Sequence, residues 1–304
     1  MTYASGGLIQ ATDYNNLING ANQLNTVWST GTGNVGYGQT ALGNVSTSST
    51  VTATQWSTLL STLNQTIAHQ TGANVANVTL PTAGSTITYL SAVSTAVATA
   101  YTNALTANTN GTTVTGATFS PNFTVAATTA AQTWNFTRTI TFASADQARY
   151  FFNAGGKFNF VTISATPTGS GRSTDWQTMI QTELANITNI AAKTNGGRSG
   201  TGGTVNTANT TLGYYGLTTT ANVISKITAT TAAYSGDYVQ VSMRSNGTQG
   251  ANGDKGSIVY LDFTVYSAAR TYSNNINVTW NHRIDTIPPE TTYLTNTWGT
   301  ITIT

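Results

Sequence analysis

The sequence predicts an α+β protein: an N-terminal helical region at residues 1–110 carrying a duplicated amphipathic helix, then an antiparallel β-sandwich at 111–304 with one inserted helix at 173–192. Three observations carry that prediction. Apolar residues in the first third recur every three or four positions. Within that third, ATDYNNLINGANQL (Ala11 to Leu24) repeats as ATQWSTLLSTLNQT (Ala53 to Thr66), an offset of 42 residues. From about Gly111 the pattern changes to short alternating runs of β-branched and aromatic residues separated by Gly, Asn and Ser turns, the signature of a sandwich or barrel.

In each copy of the repeat a threonine, Thr12 or Thr54, stands where a helix N-cap is expected, followed by an apolar stripe. The stripes are Tyr14, Leu17, Ile18 and Ala21 in one copy and Trp56, Leu59, Leu60, Leu63 and Ile67 in the other. Two equivalent helices with facing stripes follow; two copies are too few for a solenoid. The Gly and Ser/Thr-rich stretch between them, Ser29 to Thr50, has no apolar periodicity and reads as loop. A third helix is expected over Ile87–Leu105, with Leu90, Val93, Val97, Tyr101 and Ala104 at helical spacing.

Strands are expected at Trp134–Phe142, Lys157–Ala165, Asp237–Arg244, Ser257–Tyr266, Ile276–Ile284 and Trp298–Thr304. The glycine-dense stretch 245–256 joins two of them as a hairpin tip. The inserted helix, Ser173 to Ala192, aligns Trp176, Ile180, Leu184, Ile187 and Ala191, with Thr174 and Gln177 spaced as a capping box. Gly196 to Thr204 has the composition of a surface excursion.

Only 7% of the 304 residues are Asp, Glu, Lys or Arg, against about a quarter in ordinary soluble domains. So few ionisable groups leave little with which to build general acids, metal ligands or phosphate clamps. With 39% hydrophobic residues and 10% aromatics the chain nonetheless has the means to pack a core. Its net charge of +2 comes from scattered residues, so neither nucleic acid nor an anionic membrane is implied as a partner. A surface so near neutrality resists self-association poorly, which points to assembly. There is no cysteine, no secretory signal in Met1 to Leu8, and no run of membrane-spanning length.

Each candidate for chemistry has a plainer reading. Gly31, Gly33 and Gly36 match GxGxxG, yet they follow a helix, precede more loop, and lack the acidic residue a ribose needs. The two histidines are His69, near a helix C-terminus, and His282, three residues before Asp285; neither spacing makes a metal-ligand set, and no cofactor is expected. The only glutamates are Glu183 and Glu290, and Asp237, Asp254 and Asp262 lie in or beside hairpins, where turn formation and edge protection explain them better than a hydrolytic pair. The NxT sequons at Asn64, Asn122, Asn135, Asn186, Asn246 and Asn277 are expected by chance in a chain rich in Asn and Thr. Tyr293 and Trp298 are the more open aromatics and the candidates for stacking on a sugar.

Several blocks in order resemble one family. They are ATDYNNLI, the loop GTGNVGYGQ, the second helix VTATQWSTLLSTLN ending in HQTG, the block ARYFFNAGGKFNF followed by Trp176 and its helix, and the closing TTYLTNTWGTITIT. Together they are similar to virion structural proteins of tailed phages, notably contractile-tailed phages of cyanobacteria. The resemblance implies a component of the assembled particle, made in the host cytoplasm without a signal peptide, and carries no catalytic residue. The expectation is a non-enzymatic subunit of a tail, baseplate or neck appendage. Alternatives are a capsid decoration protein, or an adhesin that binds a host surface glycan through the loops at Gly247 to Gly256 and through Tyr293 and Trp298. Its partners would be copies of itself in a symmetric oligomer, such as a trimer, and neighbouring virion proteins. The stripe residues Tyr14, Leu17, Ile18, Trp56, Leu59, Leu60 and Leu63 are the candidates for assembly contacts.

Overall fold

A computed structural model of the chain describes residues 9–304 except 21, 77, 79, 83–89, 170, 249–254 and 273. Among the described residues of the N-terminal region there are four helices: α1 (Ala11–Ile18), α2 (Leu24–Trp28), α3 (Ala53–Thr71) and α4 (Leu90–Thr102). The duplication is visible in how its two helices begin, but the caps lie two residues upstream of Thr12 and Thr54. They are Gln10 and Thr52, which preserve the offset of 42. Thr52 Oγ1 accepts the Gln55 amide at 3.2 Å while Gln55 Oε1 accepts the Thr52 amide at 2.8 Å. This reciprocal pair satisfies two donors that a helix start leaves free. In the first copy Asp13 takes the Gln55 position, its carboxylate accepting the Gln10 amide at 3.4 Å.

The copies then diverge. α1 stops after two turns at Asn19 and Gly20, whose φ of 141° ends the helix, whereas α3 runs on to a left-handed cap at Gly72. α3 packs mainly on α4 and α2, and α1 on α2, so the two stripes do not form the facing pair that the repeat suggested. Within the expected third helix, residues 87–89 lie outside the described residues and α4 ends at Thr102.

The rest of the chain is a β-sandwich. One sheet has the order β1 (Asn122–Thr128), β9 (Asn274–Ile287), β3 (Lys157–Pro167), β4 (Ile187–Ile190). The other runs β10 (Thr302–Ile303), β2 (Gln132–Thr141), β8 (Ile258–Ser267), β7 (Tyr238–Ser245), β6 (Asn222–Thr228), β5 (Thr204–Ala208), and all pairings in both sheets are antiparallel. β8 alternates buried and half-buried along its whole length, placing Val259, Leu261, Phe263 and Val265 inward. There they meet Phe160 and Trp280 of the facing sheet, 4.8 Å and 5.6 Å from Phe263. Before β1 the chain already runs beside β9, with bridges from Asn110, Val114 and Phe119 to Pro289, Thr286 and His282. Buried apolar residues of the helices and of both sheets belong to one continuous core.

Several elements differ from expectation, the strands β1, β5 and β6 being additional to those expected. The inserted helix begins at Gly171 as α6 (Gly171–Thr178), opens into a π-helical turn at Met179–Leu184, and ends at Ala185, whose φ is 50°. Thr174 and Gln177 therefore lie inside the helix and cap nothing. Ile187, which continues the helical stripe in sequence, instead lies in β4 opposite Phe160 of β3, with Ile190 opposite Phe158. A further difference is an additional helix, α5 (Ala145–Asn153), capped by Ser144, whose Oγ accepts the Gln147 amide at 3.1 Å. The C-terminal strand is confined to the two residues of β10.

Candidate functional site

The stripe residues expected at an assembly interface are buried inside the protein. Tyr14, Leu17, Ile18, Trp56, Leu59, Leu60 and Leu63 are each at most 2% exposed and pack in the chain's own core. Their apolar surface is spent on joining the helices to one another, so they are not available at the surface. Trp298 is also no open platform, at 4% exposure, while Tyr293 is half-buried. The C-terminal segment is instead docked on the N-terminal loop. Gln39 Nε2 donates to the Thr295 carbonyl at 2.9 Å, and Thr297 Oγ1 donates to the Tyr37 carbonyl at 2.6 Å. Of the loop 245–256, residues 249–254, including Asp254, lie outside the described residues.

The glycines Gly31, Gly33 and Gly36 explain that docking. All three have positive φ, of 51°, 59° and 103°, and a Cβ on Gly36 would strike the Thr30 carbonyl. They let residues 35–39 fold back on α2, where the Tyr37 amide reaches the Val27 carbonyl at 2.8 Å and the Gln39 amide reaches Trp28 at 3.0 Å. The loop's carbonyls then point at donors from the sandwich side. Arg149 Nη1 donates to Val35 at 2.8 Å, Asn153 Nδ2 to Gly36 at 3.0 Å, and Tyr215 Oη to Gly33 at 2.8 Å. A phosphate cradle presents amides, whereas this loop presents carbonyls to a guanidinium and an amide. Beside it lies a groove of about 510 Å³ lined by Asn19, Asn25, Thr26, Ser29, Thr30 and neighbouring small residues. It offers neutral hydrogen-bonding groups and no ionisable side chain.

Most of the charged groups are tied into the framework. Asp237, fully buried, accepts from Arg172 Nε at 3.1 Å, Arg270 Nη2 at 2.7 Å and the Ala268 amide at 2.9 Å; Arg172 also donates to Ser267. Asp262 pairs with Arg244 at 2.7 Å and accepts from Thr137 Oγ1 at 2.7 Å. Asp285 pairs with Arg283 at 2.8 Å and accepts the Gly116 amide at 3.0 Å. Asp146 pairs with Arg149 at 2.9 Å. Sequence spacing signals none of the longer pairings, because the partners lie on different elements.

The histidines are also interior. His282 is fully buried between the sheets among Phe136, Phe160 and Trp280, and Arg138 Nε donates to its Nε2 at 2.9 Å while the guanidinium lies 4.2 Å over Phe119. Burial, reinforced by the Arg138 charge, lowers its pKa to about 4. His69 sits edge-on to Tyr37 at 5.3 Å, and burial lowers its pKa as well. Burial raises the carboxyls of Asp175 and Glu183, each carboxylate also opposed by other acidic charge. Glu183 lies in the π-helical turn, packed under Gly203. Among the described residues no group of three or more His, Asp or Glu could hold a metal ion.

The sequon asparagines Asn64, Asn186 and Asn246 accept amides of their own fold, at Val75, Thr162 and Ser257. Among the described residues no helix is long and apolar enough to cross a membrane. Compared with known families, curated proteins and solved structures, the chain matches none.

Proposed function

We propose that this chain is a non-enzymatic structural subunit of a tailed-phage virion, placed in a tail, baseplate or neck appendage and acting through contacts with copies of itself and neighbouring subunits. The observation that carries the reading is where the scarce charges go. Asp237 and Asp262 bind arginines of other elements, Arg149 joins Asp146 to the Val35 carbonyl, and Asp285, paired with Arg283 of its own strand, accepts the Gly116 amide, while the neutral groove beside the glycine loop contains no ionisable group. The ordered sequence blocks that resemble virion proteins support the same reading. A near-neutral surface of hydroxyls and amides suits repeated contacts without charge repulsion.

The test is detection and counting of the chain in purified particles by quantitative mass spectrometry. A few to some tens of copies per particle fit an appendage. Hundreds would move the protein to the capsid surface as a decoration subunit, and its absence from particles would end the virion reading. The adhesin reading loses Trp298 as a stacking platform, because that indole is in the core.

A further inference from the structure

We propose that the free edge of β2 is a pairing site for the β2 edge of a second copy of this chain, joined antiparallel across a two-fold axis near Asn135. This rests on the assembly reading above in needing a second copy, but its argument comes from the sheet. β2 pairs with β8 at every position from Gln132 to Thr141, whereas on its other side β10 reaches only Ile140 and Thr141. Thr139 exchanges both its amide and carbonyl with Thr304, and the Phe142 amide donates back to Ser257 on the β8 side. Antiparallel strands alternate the direction of their backbone groups. Thr133, Asn135 and Thr137 therefore aim their amides and carbonyls away from β8, and among the described residues only the Thr137 carbonyl has a partner, Arg138 Nη1 at 3.3 Å.

Among the described residues every other sheet edge is blunted in a way that discourages pairing. β5 is short and irregular between Val205 and Thr207, and β1 is irregular between Val125 and Thr128. β4 has four residues and its outer side bonds to the chain at Gly196 and Gly197. β10 has two residues. The open stretch of β2 has no bulge, no proline and no lysine. Its one cation, Arg138, is turned inward onto Phe119 and His282.

The stretch is also self-complementary. With Asn135 opposite its own copy, Thr133 faces Thr137, Trp134 faces Phe136, and Arg138 faces Gln132, so no like charges meet. Trp134 and Phe136 are only partly buried against the core, beside Phe123 at 6.2 Å and 5.9 Å. An added strand would cover them, joining main-chain hydrogen bonds to apolar burial. The register is bounded as well, because β10 of each copy would abut the start of the other copy's β2.

Light scattering and residue-resolved hydrogen exchange on the full chain, at high and low concentration, test this pairing. The expected result is a dimer, or an even-numbered assembly of dimers. The amides of Thr133, Asn135 and Thr137 should be protected only when associated, and those of Trp134 and Phe136, bonded to β8, at every concentration. Asn135→Pro removes the central outward amide and leaves the β8 ladder intact, so association should weaken roughly tenfold or more. Should that variant misfold, the exchange pattern of the unaltered chain decides. Edge amides that exchange freely in an assembled species, or an odd-numbered oligomer, would overturn the pairing and leave the assembly reading standing. Protection that survives dilution to monomer would assign the edge to the chain's own remaining residues and overturn it too. A monomer at all concentrations would count against both.

Discussion

Asp237 shows how a single residue can matter in a chain with so few charges. Its carboxylate is fully enclosed, as is the Arg172 guanidinium it binds, and Arg270 closes the triad at 10% side-chain exposure. Removing one member of such a set leaves a charge in the interior without its counter-ion, which costs about 3–5 kcal/mol. Asp237→Ala should therefore lower stability by that amount in urea titrations. Asp262→Ala, which breaks a pair with side chains 31% and 24% exposed, should cost about 1 kcal/mol or less. Equal losses would mean that burial is not what separates the pairs. His282 gives a pH dependence with a definite sign. Its folded pKa, about 4, lies below the ordinary 6.5, so the unfolded chain takes up a proton first as the solution is acidified. Its stabilising contribution is complete above pH 6.5 and is lost as pH falls toward 4, a change of roughly 3 kcal/mol. His282→Gln keeps an acceptor for Arg138 but cannot titrate. Its stability should fall less steeply over that window, and parallel curves for the two proteins would reject the assignment.

At the level of elements, the sequence was most legible where local chemistry and burial agree. β8 was readable because its alternation runs unbroken through ten residues, and the repeat because its two copies carry an aromatic and an aliphatic pair at matching positions, Tyr14, Leu17 and Ile18 against Trp56, Leu59 and Leu60. The helix start was misplaced at Thr54, since periodicity marks the apolar face and not the first turn. The stop of the inserted helix was not legible because Ile187 fits a helical stripe and a strand edge equally well; only pairing with Phe160 separates them. α5 was readable in principle, since Ser144, Asp146 and Gln147 precede Ala148, Phe151 and Phe152, but nine residues give the helical period too few repeats to stand out between two strands. The site residues failed for a related reason: an amphipathic stripe shows that a surface is buried, not against what. The cap gives a direct check. Thr52→Ala should destabilise the protein by about 1 kcal/mol. Thr12→Ala, exposed inside α1, should be neutral or gain a few tenths, because Thr12 supplies no cap and alanine is the better helix former. A larger loss from Thr12 than from Thr52 would put the true cap back where periodicity placed it.

For the molecule as a whole, the same scarcity of charge that steers the fold inward sets how any assembly responds to its solvent. Asp146, Asp237, Asp262 and Asp285 are already committed to arginines of the same chain, so few remain to bridge copies. Backbone hydrogen bonds and apolar contact are left as the adhesive, and neither is screened by ions. Raising salt from about 0.1 M to about 1 M shortens the Debye length from about 10 Å to about 3 Å and largely silences exposed ion pairs. The association constant, followed by sedimentation across that range in sodium chloride, is therefore expected to change by less than about threefold, under 1 kcal/mol. Ammonium sulfate should tighten association, because it strengthens apolar burial. A steep fall in sodium chloride would mean that the remaining cations, such as Lys157, Lys193 and Lys226, meet acidic groups across the interface, and that assembly is electrostatic in spite of the composition.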